Sequence, residues 1–238
     1  MTLHLFRDLE RIRSQILVMG GLVESQIDKV LRALENRDAA LAEAVLAGEE
    51  EVNAKEIDIE EECLKVLALH QPVAGDLRFV VMVMKVNNDL ERIADLAENM
   101  ARRALYLAGH RPLEMPAELA AIAATARRML RESLDALVNQ DAGLARAVCG
   151  MDDEVDEGNR RMFRIVEERI KEDPEVTPLA LQFLSVSRQL ERIADHATNI
   201  AEDVVFLVEG EVIRHREAGP DIGSTVAAAS SGEDTESE

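Results

Sequence analysis

Apolar residues recur at helical spacing along almost the whole chain, and strict apolar/polar alternation is scarce, so the pattern predicts helices and no sheet. Phe6, Leu9, Ile12, Ile16, Met19, Val23, Ile27, Val30 and Leu34 trace one face of a long first helix, with Gly20-Gly21 marking a place for a bend. Asp38 stands where an N-cap belongs. The segment it opens is interrupted at Gly48 and continues from about Glu49 to Leu69. HQPVAGD supplies a turn at Pro72, a third helix runs to about Ala108, and GHRPLEMP stops it. Leu119, Ile122, Met129, Leu130, Leu134 and Leu137 mark a fourth helix. A fifth reaches about Lys171, EDPEVTP makes a turn, and a sixth spans about Leu179 to Glu209.

The second half repeats the first. NRDAALAEAV returns as NQDAGLARAV, with 141 − 38 = 103 residues between the two aspartates. NNDLERIADLAENMA, from Asn87, returns as SRQLERIADHATNIA from Ser187, an offset of 191 − 91 = 100. The change in offset falls near the Pro-containing connections, where loops tolerate length changes. The prediction is an all-α chain of two tandem, pseudo-symmetric three-helix bundles, 1–109 and 110–216. From Glu217 the chain is acidic without a basic residue and rich in Gly, Ser, Thr and Ala, which reads as a disordered tail over 217–238.

Composition narrows the function. The net charge of −20 has no Lys/Arg-rich run to offset it, which argues against nucleic acid and anionic membrane surfaces as partners. It favours metal cations or basic protein patches. The apolar run FVVMVM, ending at Lys85, is too short to cross a bilayer, and MTLHLFRDLERIRSQ has charges where a signal peptide needs an apolar block. The chain therefore reads as cytoplasmic. Cys63 and Cys149 form no ligand motif and read as small buried groups.

The repeated segment keeps its charges as well as its apolar face. Leu90, Ile93, Ala94, Ala97, Met100 and Ala101 share the core arc, while Glu91, Asp95 and Glu98 form a stripe away from it. In the second copy Glu191 and Asp195 keep the stripe, Thr198 replaces Glu98, and Glu202 extends it. Like charges at i, i+4 weaken an isolated helix by a few tenths of a kcal/mol, so a purely solvated face gains from a mixed pattern. The preceding helices carry matching stripes: Glu49, Asn53, Glu56 and Glu60, then Asp152, Asp156 and Asn159. If these helices are neighbours, oxygen donors from two helices converge, as hard or borderline cations require. His196 reads as a surface or supporting residue rather than a ligand.

LERIADLAENMARRA, LERIADHATNIAEDV, CLKVLALHQPVAGDLR and the EEEVN/DDEVD pair resemble the PhoU family of bacterial phosphate-uptake regulators, over about residues 3 to 210. The resemblance implies a cytoplasmic protein of two three-helix bundles, commonly a homodimer. It implies repression of the phosphate-starvation regulon, by linking the ATPase subunit of the phosphate transporter to a sensor histidine kinase. It also implies clusters of metal ions (iron, or magnesium, manganese or zinc) on E(D)-x-x-x-D motifs. These correspond to Glu91 with Asp95, Glu191 with Asp195, and Asp152 with Asp156; Glu49 with Asn53 is the weakest match, and Glu56 joins that patch. The family's usual Gly before the motif aspartate is Ala94 and Ala194 here. Two other functions use the same stripes: metal storage or scaffolding, and a carboxylate-metal phosphoesterase. Against the latter, no nucleophile–base pair or Gly-rich phosphate loop is visible, and the expectation is a non-enzymatic regulator.

Overall fold

In the computed structural model, residues 3–210 are described. The segment read as an acidic tail, 217–238, lies outside the described residues, as do 1, 2 and 211–216. Among the described residues eight α-helices follow one another: α1 (Leu3–Asn36), α2 (Ala39–Ala47), α3 (Glu49–His70), α4 (Ala74–Ala108), α5 (Ala117–Asn139), α6 (Ala142–Cys149), α7 (Asp152–Glu172) and α8 (Thr177–Glu209). No strand occurs among the described residues.

The six expected helices become eight because each repeat breaks its middle helix at the same place. Asp38 and Asp141 accept hydrogen bonds from the backbone N–H of Leu41 and Leu144, at 3.1 and 3.0 Å, and so start α2 and α6. Arg37 and Gln140, one residue earlier, both take a left-handed backbone (φ 55° and 52°) that turns the chain. The breaks before α3 and α7 follow Gly48 and Gly150. Gly150 carried no sequence signal of its own, since Met151 continues the apolar pattern. The shortening of the second copy lies between α7 and α8, where residues 174–176 form one turn of 3-10 helix in place of 71–76.

α1, α3 and α4 pack on one another, as do α5, α7 and α8, and the two bundles meet along α4–α8 and α1–α5. The expected core faces are buried: Leu90, Ile93, Ala97, Met100 and their counterparts Leu190, Ile193, Ala197 and Ile200 are all fully inaccessible. Ala94 and Ala194 are buried too. One position on the α1 stripe departs from expectation. Phe6 is 50% exposed, and Leu5 is buried instead, because the first turns of α1 have fewer helices to pack against. Gly20-Gly21 does not interrupt α1. Gly20 is buried where α1 meets α5, and a Cβ there would stand 3.0 Å from the Leu134 side chain, so the glycine serves close approach.

Candidate carboxylate patches

The two middle helices lie against the long helices that carry the repeated motif, held by hydrogen bonds at equivalent positions. Asn87 Nδ2 donates to the Glu56 carbonyl (2.9 Å) between α4 and α3, and Ser187 Oγ donates to Asn159 Oδ1 (2.7 Å) between α8 and α7. Above these bonds the stripes converge within each bundle. The first patch gathers Glu49 and Glu56 of α3 with Glu91, Asp95 and Glu98 of α4. The second gathers Asp152 and Asp156 of α7 with Glu191 and Asp195 of α8. Glu49, Asn53, Glu56, Glu91, Asp95, Asp152, Asp156 and Glu191 are half-buried, while Asp195 is exposed.

Crowding shows in the proton affinities. Glu49 is raised above the ordinary carboxylate range, first by a hydrogen bond with Glu98, then by lost hydration and the Glu98 charge. Glu56 is raised by burial first and by Glu60 second. For Glu91 burial leads and Asp95 follows, with Arg92 pulling the other way. In the second patch Asp152 is pushed up to about 6, by burial first, then by Asp195 and Asp156. Glu191 is raised by burial, Asp195 and Asp156. Asp195 is raised by loss of hydration against its neighbours and by Asp156, although the residue as a whole is exposed. Each patch thus holds carboxylates that repel one another, a situation that protons or cations relieve.

The donors fit a hard cation in kind: carboxylate oxygens from two helices, with the Oγ1 of Thr198 buried on α8 and lacking a hydrogen-bond partner. Among the described residues no three His, Cys, Asp or Glu side chains stand as ligands of one common ion.

Sequence patterns did not expose the polar seam between the bundles. α4 and α8 run antiparallel. His196 Nδ1 is 2.8 Å from Asp89 Oδ1, Asn199 Nδ2 donates to the same oxygen at 3.4 Å, and Lys85 Nζ reaches Asp203 Oδ1 at 3.1 Å. His196 is tied across the interface as a supporting residue. The signal was present as differences between the twin segments. Lys85, Asp89, His196 and Asp203 face Ser185, Gln189, Leu96 and Arg103 in the alignment of the copies. Arg92 pairs on its own helix, with Glu91 at 3.4 Å and Asp95 at 3.5 Å. Neither cysteine is poised for nucleophilic work, since burial first holds both thiols at about 11.

Fold and patches together define a duplicated helical-bundle protein with one acidic patch on each half. The comparisons make the class specific. The PhoU domain family model matches twice, over residues 16–104 and 119–204. The phosphate-specific transport system accessory protein PhoU homolog of Pseudomonas aeruginosa is 40% identical over 210 residues, covering 87% of this chain and 86% of the relative. The Escherichia coli accessory protein PhoU is 35% identical over the same shares. The crystal structure of PhoU from Pseudomonas aeruginosa superposes with a TM-score of 0.83 at 40% identity, over 86% of this chain and 99% of that one. That of the phosphate transport system regulatory protein PhoU from Streptococcus pneumoniae gives 0.81 at 29%, over 88% and 99%. The chain belongs to the PhoU family.

Proposed function

We propose that this protein is an accessory and negative regulator of phosphate uptake, acting by binding rather than by catalysis. In this reading it works in the cytoplasm as a homodimer. It bridges the ATPase subunit of a phosphate transporter and a sensor histidine kinase, and represses phosphate-starvation genes when phosphate is plentiful. The observation that carries the reading is the family match, which extends through both bundles and includes relatives named as accessory proteins of the phosphate-specific transport system. Among the described residues no helix is long and apolar enough to cross a membrane, which suits a partner of a membrane transporter rather than a subunit of its channel.

The two patches are proposed to hold cations, iron or magnesium, manganese or zinc. Glu49, Glu56, Glu91 and Asp95 would do so on the first bundle, and Asp152, Asp156, Glu191 and Asp195 on the second. A bound divalent ion would supply the positive charge that each crowded set lacks.

A pull-down of the tagged protein from phosphate-replete cells, with metal analysis of the same sample, tests both parts. The expected result is recovery of the transporter ATPase or the kinase, with a transition metal or magnesium above the level of a tag-only control. Metal without either partner would point to storage, and neither would contradict the reading.

A further inference from the structure

The seam between the bundles is paired at one end and unpaired at the other. α4 and α8 are related by the repeat, so each position on one has a counterpart 100 residues away on the other. At the paired end Lys85 meets Asp203 at 3.1 Å, and Asp89 takes up both His196 (2.8 Å) and Asn199 (3.4 Å). The equivalent positions at the far end set Ser185 opposite Arg103, and Gln189 opposite Leu96 and Asn99. Both carboxylates are gone from these positions. Arg103 is half-buried; its Nε is inaccessible and finds no acceptor, and its guanidinium forms no ion pair among the described residues. Gln189 Oε1 is likewise buried without a donor, and Asn99 turns its amide to the Asp95 carbonyl of its own helix at 2.9 Å. A second cation is close in sequence. Arg188 precedes Gln189 and is exposed, where the paired end has the neutral Asn88.

We propose that the unpaired end of the seam, around Arg103 and Arg188, binds a phosphate-type oxyanion. A guanidinium N–H withdrawn from water without an acceptor is costly, and an anion is the partner that relieves it best. The paired end shows what the fold does when that partner is built in, since the Asp203 carboxylate stands opposite Lys85. A bound oxyanion would take the place of that carboxylate. The fork of Arg103 suits two oxygens of one tetrahedral anion, and Ser185 supplies a neutral hydroxyl donor opposite it. The charge of Arg188 is shared with Glu191 on its own helix, so its contribution is the smaller one. The net charge of −20 opposes an anion only at long range, because at physiological salt charges farther than about 8 Å are largely screened. Arg103 belongs to α4, and Ser185 and Arg188 to α8. The ligand would therefore tie the two bundles together as Lys85 and Asp203 tie the other end.

Inorganic phosphate is the probe, followed by broadening of its phosphorus-31 resonance as full-length protein is added. Metal is first removed with chelator, so that no cation on the carboxylate patches carries the phosphate. Wild type is expected to bind one phosphate per chain with a Kd on the order of 1 mM, the strength of two charge-assisted contacts. Arg103→Gln should weaken binding by about ten-fold and Arg188→Gln by about three-fold. Lys85→Gln, at the paired end, should leave the affinity within about two-fold. Arg103→Asp combined with Ser185→Lys rebuilds the pair of the other end. It should keep the helical circular dichroism and melting midpoint of wild type and bind no phosphate. ATP, run in the same way, distinguishes a free anion from a phosphoryl group carried on a larger molecule; binding that depends on Arg103 supports the site in either case. Absence of saturable binding by wild type would overturn the proposal, as would undiminished binding by the folded Arg103→Asp/Ser185→Lys variant. Either failure leaves the regulatory reading standing, since the site is argued from the seam alone.

Discussion

Replacing Leu90 or Leu190 by Ala is expected to cost about 2–5 kcal/mol of unfolding free energy, among the largest single-residue losses available in this protein. Both side chains are fully inaccessible. They open the repeated motif on α4 and α8, the helices that touch every other helix of their own bundle and each other. Removing three carbons there leaves a cavity that long, rigid helices cannot collapse to fill. Because the two leucines occupy equivalent positions, their costs should agree to within about 1 kcal/mol. Urea unfolding followed by helical circular dichroism measures both. A loss below about 1 kcal/mol at either site would mean that the motif does not form the central packing described above.

The second large effect has a pH signature. Asp152 has a folded pKa of about 6 against an ordinary 3.8, so the folded state holds its proton more tightly than the unfolded state does. Stability from this group is therefore present below about pH 4 and is lost as pH rises through about 6. Asp152→Asn removes the ionised form altogether. In chelator it should stabilise the protein at pH 8 by about 1–2 kcal/mol, the full shift being discounted because the group is only half-buried. The gain should shrink as pH falls through 6 and vanish near pH 4. Urea midpoints for both proteins across that range give the answer. An Asn variant no more stable than wild type at pH 8 would show that the second patch carries no strain.

Much of this was legible from residue spacing, and the exceptions have physical causes. A helix in a bundle repeats its apolar face every three to four residues, so Leu90, Ile93, Ala97 and Met100 announced their burial. Phe6 misled because periodicity alone does not say where the neighbouring helices end. The N-cap Asp38 was readable because capping is local chemistry, and its repeat counterpart Asp141 caps α6 in the same way. Asp89 with His196 and Lys85 with Asp203 were not, because each pair joins residues more than 100 positions apart, through an antiparallel register that no local pattern encodes. The stripes Glu91/Asp95 and Glu191/Asp195 stood out in sequence.

Neutral substitutions in the second patch and loss of the whole protein act at different levels. Leu190→Ala tests how the bundles hold together, and Asp152→Asn tests what the surface costs at neutral pH. Neither asks whether the fold serves phosphate control.

That question is answered most directly by a reporter fused to a phosphate-scavenging gene, read in phosphate-replete cells with and without this protein. Strong expression in cells lacking it, silenced again by the wild-type chain, is the predicted result. A reporter that stays off in its absence would contradict the regulatory account, whatever the patches bind.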